Sequence, residues 1–223
     1  MRSLLGLAFV LSLATSVRSE DPASRAAGPA EKEKGFTPLF DGKSFEGWEG
    51  RKSVFRIADG AVIAGNLKTR IPNNEFLCSR KTFTNFELRL EAKLIGQGKN
   101  AGIQFRSRRI TNHHEMIGFQ ADMGVSGNDH SIWGALYDES RRRKFLAEGD
   151  QQKLQKAVNT GDWNRITIRC AGNRIQIHVN GLQTVDYTEQ EADIADSGHI
   201  GLQIHGGPPA EAWYRNIRIR ELK

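Results

Sequence analysis

The sequence predicts an all-β fold, a two-sheet antiparallel sandwich of the jelly-roll kind. Apolar residues recur with a period of two in nearly every hydrophobic segment, and Gly- and Asn-containing turn dipeptides separate the segments. About a dozen such strands cannot bury their apolar faces in one flat sheet, so a second sheet must lie opposite. Composition agrees: 223 residues, 38% hydrophobic and 26% charged, with 23 Gly and 6 Pro, suit a soluble globule. They exclude collagen-like, low-complexity and multi-span membrane classes.

In chain order, Met1-Arg2 and the apolar run Leu4 to Val17 form a secretory signal pattern, with cleavage placed after Ser19. This predicts a secreted or periplasmic protein with no membrane span. Residues 20–35 contain no large apolar residue and read as a flexible leader, which leaves 36–223 as one domain. Strands are expected at Val54 to Ala58, Ala61 to Ala64, Glu75 to Cys78 and Phe86 to Leu94, the last alternating over nine positions. Further strands follow at Ala101 to Ser107, Ile117 to Asp122 and Ile132 to Tyr137. Residues 139–157 alone suggest helix. Ile166 to Cys170, Ile175 to Val179 and Gln183 to Tyr187 form a meander through Ala-Gly-Asn and Asn180-Gly181 turns. His199 to His205 and Tyr214 to Leu222 complete the set. Trp48, Trp163 and Trp213 sit beside apolar strand patterns and are assigned to the core.

Without residues 1–19, which carry Arg2 and Arg18 and no acid, the formal charge falls from +6 to +4. The one dense basic run, Arg141 to Lys144, directly follows Asp138-Glu139, so there is no basic face for nucleic acid. Cys78 and Cys170 lie in an oxidising compartment on this reading. They either pair, closing a loop of roughly ninety residues worth on the order of 4 kcal/mol, or stay as separate buried thiols. Cys170 shares strand parity with Ile166 and Ile168, as a core thiol would.

Chemistry is sought among strand residues of parity opposite to the core. With Ile103, Phe105, Ile117, Phe119, Ile200, Leu202 and Ile204 inward, the outward set is Gln104, Arg106, Gln120, Asp122, Gln203 and His205. Any one of these has the plain explanation of a solvent-facing strand position. As a set they differ from an ordinary exposed face such as 87–93, because amides and a guanidinium make directed hydrogen bonds to vicinal hydroxyls or a carbonyl. If their strands are neighbours, they form one polar surface able to bind polyols. Trp133 and Tyr137 supply aromatic faces for a sugar ring, with core packing as the alternative. His113-His114-Glu115 is a local cluster with possible metal chemistry, although adjacent histidines on an extended chain point to opposite sides. No GxSxG, Walker or GxGxxG motif is present.

The segments GFTPLFDGKSFEGW (35–48), NAGIQFRS (100–107), IGFQAD (117–122), WGALYDESRR (133–142), DWNRITIRCAGNRIQIHVNG (162–181) and GHIGLQIHGGP with the terminal WYRNIRIREL resemble the 3-keto-disaccharide hydrolase-like family. The likeness runs in order through residues 35–223, and the QAD and LYDESRR variants are similar to a planctomycete-type branch. The resemblance implies a concanavalin A-like (lectin/glucanase) sandwich and cleavage of glycosides already oxidised at C3. Where many members carry Tyr-Glu-x-Gln, this chain has Phe119-Gln120-Ala121-Asp122, so the carboxylate stands two residues further along the same face.

A ketone at C3 acidifies the C2 hydrogen and lets the C1 oxygen leave by elimination, after which water adds back. Such a site needs a base, an enolate partner and a proton donor. On the implied chemistry Asp122 or His205 is the base, Arg106 the enolate partner, and Glu115 or Asp138 the donor. Gln104, Gln120, Gln203, Trp133 and Tyr137 hold the carbohydrate. A divalent metal held by some of His114, Glu115, Asp122 and His205 is an alternative to Arg106. The same fold also serves non-catalytic, lectin-like carbohydrate-binding modules and structural domains.

Overall fold

The computed structural model describes residues 33–223. The signal pattern and most of the leader lie outside these residues. Glu33 already belongs to the packed structure, because it pairs with Arg89 at 3.0 Å and Arg218 at 2.9 Å.

The strands run, in order, β1 (Thr37–Pro38), β2 (Trp48–Glu49), β3 (Phe55–Ala58), β4 (Ala61–Asn66), β5 (Glu75–Phe83), β6 (Phe86–Gly96), β7 (Asn100–Arg109) and β8 (Met116–Ser126). Next come β9 (His130–Ser131), β10 (Leu136–Glu139), β11 (Phe145–Ala147) and the helix α1 (Gln151–Ala157). The chain finishes with β12 (Asn164–Ala171), β13 (Arg174–Val179), β14 (Leu182–Thr188), β15 (Gly198–Ile204) and β16 (Ala210–Glu221). Sheet I has the order β14-β13-β12-β6-β16-β4-β3, with β1 added to β16. Sheet II has the order β11-β10-β8-β7-β15-β5-β2, with β9 added to β8. All pairings between named strands are antiparallel. Two antiparallel sheets facing one another are the sandwich that the period of two requires.

The inner faces are the predicted ones. Phe86, Leu88 and Leu90 of β6 register with Cys170, Ile168 and Ile166 of β12, which in turn register with Ile175, Ile177 and Val179 of β13. All are buried in a single core cluster with Ile103, Phe105, Phe119, Ile200, Leu202 and Ile204 from sheet II. The β13–β14 turn places Asn180 and Gly181 at φ 51° and 88°, the left-handed pair that a two-residue hairpin turn demands. Tyr214 of β16 reaches across the core, and its hydroxyl donates to the carbonyls of Gln203 at 2.5 Å and Gly102 at 3.2 Å. That tie fixes β16 of sheet I against the centre of sheet II.

Three expectations are corrected, and one open alternative, that of the two cysteines, is decided. The strand expected at Ile132 to Tyr137 begins only at Leu136, because Ala135 N–H bonds Ile132 O and Gly134 takes φ 69°, which makes residues 132–135 a tight turn. The helix of 139–157 contracts to α1, capped by Asp150 accepting from Lys153 N–H at 3.0 Å. Trp48 is core, but Trp163 and Trp213 are only partly buried, packed edge to face at 6.3 Å on the outer side of sheet I with Lys93 over both rings. A cation over each ring lets a tryptophan occupy a wet face. The two thiols do not pair: Cys170 is in the main core, whereas Cys78 sits with Phe76 and Met116 in a separate cluster. Burial raises both thiols to about 12, which leaves them unreactive.

Candidate active site on the outer face of sheet II

Strands β8, β7 and β15 are immediate neighbours, which brings together five of the six polar residues. The expected open polar surface is corrected: Gln104, Gln120, Asp122 and Gln203 are buried and only His205 is exposed. Gln104 stands opposite Gln120 and beside Gly201, while Gly102 stands between Asp122 and Gln203. His205 follows the last β15 pair, Ile204 with Ala101. Gly102 is a requirement of this arrangement, because a Cβ there would come within 2.6 Å of the Gln120 amide carbon. The missing side chain is the space into which Gln120 folds.

The polar groups form a directed chain. Ser107 Oγ donates to Gln104 Oε1 at 2.6 Å, Gln104 Nε2 donates to Gln120 Oε1 at 3.1 Å, and Gln120 Nε2 donates to Asp122 Oδ1 at 2.5 Å. Each amide is polarised by the next, and the chain ends on a carboxyl group that is 4% exposed. Burial outweighs the Gln120 hydrogen bond, and with the nearby charges of Glu139 and Glu148 it raises Asp122 to about 8. Gln203 is fully buried, and neither of its side-chain polar atoms has a hydrogen-bond partner; the same holds for Glu115 Oε2 and Asn100 Oδ1. Buried amides are costly to leave unpaired, so each of these atoms calls for a partner that the described residues do not supply.

Glu115 closes one side. Its Oε1 accepts from Asn74 Nδ2 at 2.9 Å, and Asn74 Oδ1 in turn accepts from Gly206 N–H at 2.8 Å, tying the β7–β8 loop to the residue after His205. His205 is exposed, and its Nδ1 lies 2.6 Å from Gly206 O. A carbonyl can only accept, so Nδ1 carries a proton, and Nε2 is the ring nitrogen left for another partner. Tyr137 registers with Gln120, which puts its ring on the same face. Burial and the charges of Glu139 and Asp122 raise its hydroxyl above the usual value.

Three of the expected site residues lie elsewhere. Arg106 falls in a β-bulge between Phe105 and Arg108 and takes φ 47°, which breaks the alternation. Its guanidinium instead donates to Thr84 O at 2.9 and 2.7 Å, anchoring the β5–β6 turn. Asp138 registers with the core residue Phe119 and so faces inward. It is fully buried between Arg141, at 2.9 Å, and Arg142, which also holds Glu189 at 2.6 Å. Trp133 is 5% exposed in the main core and lines a cleft of about 700 Å³ under α1 with Leu94, Val125 and Leu154, apart from the amide chain.

Glu139 is the residue that sequence reasoning passed over. It registers with Gly118, on the outer face, one residue beyond the inward Asp138. Burial and the charge of Glu115 raise its carboxyl, against the opposing effects of Ser140 and His205. The signal was in the strand alternation, since Tyr137 and Glu139 share parity, but it could be read only once the tight turn at 132–135 had set where β10 starts.

A divalent cation on some of His114, Glu115, Asp122 and His205 is the alternative to Arg106 that the sequence leaves open. His114 lies 3.5 Å from Glu115, but its ring stacks on His113 at 4.3 Å, contrary to the opposed orientation of an extended chain, because Asn112 at φ 56° turns the loop. Among the described residues no three His, Cys, Asp or Glu groups come together as a ligand set. The four residues therefore do not fit a cation in this arrangement.

Residues 35–220 match the model of the 3-keto-alpha-glucoside-1,2-lyase-like domain. A 3-keto-disaccharide hydrolase of Bacteroides thetaiotaomicron is 26% identical over 232 residues, covering 84% of this chain and 79% of that protein. Among solved structures, a Parabacteroides distasonis chain provisionally assigned as a glycosyl hydrolase superposes with TM-score 0.63 at 18% identity, covering 85% of this chain and 94% of that one. Carbohydrate-binding module CBM66 of Bacillus subtilis superposes with TM-score 0.58 at 14% identity, covering 84% and 98% respectively. At these identities the structural likenesses establish the sandwich fold.

Proposed function

The chain belongs to the family of 3-keto-alpha-glucoside-1,2-lyase-like domains, and from that premise we propose that it cleaves the glycosidic bond of 3-keto-glycosides by elimination across C1 and C2, followed by hydration. The observation that carries this reading is Asp122, a buried carboxyl raised to about 8 at the end of the Ser107–Gln104–Gln120 chain. A base with a pKa near the working pH combines a usable deprotonated fraction with a strong pull on a carbon acid.

In this reading Asp122 removes the C2 proton made acidic by the C3 ketone. The electron pair moves into the enolate, and the unpartnered Gln203 Nε2 donates to the oxygen that gains charge. Glu139, its carboxyl raised by burial and by Glu115, gives a proton to the C1 oxygen as that bond breaks. In the same reading the exposed His205 Nε2 contacts a substrate hydroxyl or the water that adds back. The residue set supports carbohydrate as ligand, and the signal pattern of residues 1–19 supports action outside the cytoplasm. No helix among the described residues is long and apolar enough to cross a membrane.

The test is turnover of a 3-keto-glucoside beside its unoxidised parent in deuterated water. The parent protein is expected to cleave only the keto form and to place deuterium at C2, and Asp122→Asn is expected to abolish both. Cleavage without C2 exchange, or undiminished cleavage by Asp122→Asn, His205→Ala and Gln203→Leu together, defeats the mechanism. Sugar binding by calorimetry with no turnover supports instead a lectin-like module on the same sandwich.

A further inference from the structure

The structure assigns a second aromatic surface to the edge of this site. Phe145 is one of two large hydrophobic side chains among the described residues that stand exposed, at 36%. It lies on β11, the edge strand of sheet II, and it registers with Tyr137, which on its other side registers with Gln120. Their rings pack edge to face at 5.1 Å. The pairing depends on an irregularity: Leu136 registers with Ala147, but Tyr137 registers with Phe145, so Leu146 is the extra residue. Leu146 packs against the core and Phe145 stays on the outer face.

We propose that Phe145, braced by Tyr137, is the platform for the pyranose leaving group of the substrate, which makes the protein selective for disaccharides over small alkyl glycosides. This rests on the reaction proposed above. Two strand spacings, about 10 Å, separate β11 from β8, room for a second ring beside one held over Gln120 and Asp122. The apolar C–H face of a pyranose is matched by an exposed phenyl ring, and its hydroxyls would point to water at the open sheet edge. One exposed ring is ordinary by itself; what sets Phe145 apart is its contact with Tyr137, which ties it to the strand that carries Gln120 and gives it a direct use in ligand binding.

The experiment compares the parent protein with Phe145→Ala and Phe145→Tyr. Turnover is followed on a 3-keto-disaccharide and on methyl 3-keto-glucoside, and calorimetry uses the unoxidised disaccharide and methyl glucoside as inert probes. Phe145→Ala is expected to raise KM and weaken disaccharide binding by about fivefold to tenfold, to leave the methyl glucosides unchanged, and to be rescued by Phe145→Tyr. Equal losses on both sugars, an unchanged disaccharide affinity, or no sugar binding by the parent overturns the platform. If the parent turns over neither keto sugar but Phe145→Ala still weakens disaccharide binding selectively, the reaction is wrong and the platform stands.

Discussion

Replacing Asp122 by asparagine should make the protein more stable while removing its proposed chemistry, and the gain should depend on pH in a defined direction. Burial raises the native carboxyl from an ordinary 3.8 to about 8. The native state therefore holds a proton that the unfolded chain releases, so the parent's stability is fully present below pH 3.8 and declines as pH rises, levelling off only above about 8. At 1.36 kcal/mol per unit, this costs the parent roughly 4 kcal/mol at pH 7 and under about 1 kcal/mol at pH 4. Asparagine keeps an acceptor for Gln120 Nε2 and carries no charge to desolvate. Its own amide protons need partners, an offset of about 1–3 kcal/mol, so the slope with pH is more diagnostic than the gain at any one pH. Urea denaturation of both proteins from pH 4 to 9 at fixed ionic strength reads it directly. A difference that stays flat with pH, or a parent that gains on the variant as pH rises, refutes the argument that Asp122 is a desolvated carboxyl.

Glu139→Gln should slow cleavage of poor leaving groups by about 10²- to 10⁴-fold while sparing an activated 4-nitrophenyl 3-keto-glucoside; an equal loss on both excludes a donor role. Asp138→Ala should destabilise the fold by about 3–5 kcal/mol, because it leaves Arg141 without its carboxylate partner at a largely buried site and removes one of the partners of Arg142. If Asp138→Ala instead folds with parental stability and loses activity, the donor is Asp138 after all. Reducing agent should leave Tm unchanged and thiol titration under denaturant should count two free thiols, since Cys78 and Cys170 lie in separate clusters; a reductant-sensitive Tm contradicts that placement.

Where strands alternate without interruption, linear order carried the site a long way. Gln104, Gln120, Asp122, Gln203 and His205 were selected by parity alone, and β7, β8 and β15 do lie side by side. The choice failed at each place where the backbone departs from extended geometry. The bulge at Phe105/Arg108 turned Arg106 from an enolate partner into an anchor for Thr84. The tight turn at 132–135 left Trp133 in the core, Asp138 inward and Glu139 outward. The irregularity at Leu136/Tyr137 brought Phe145, never considered from sequence, opposite Tyr137. Trp163 and Trp213 were misplaced for a different reason: apolar neighbours in sequence say nothing of the Lys93 ammonium that accompanies both rings on the outer face.

The amino-acid order alone was enough to specify two antiparallel sheets, their inner faces and the strands from which a polar surface is built, because side-chain direction in an extended chain is a local property with a period of two. Which of those strands became neighbours, that Asp122 would be desolvated while Asp138 was neutralised by two arginines, and that Gln203 would be left without partners were decided only by the packed molecule. Protonation and hydrogen bonding respond to groups far away along the chain, and only folding brings those groups within reach.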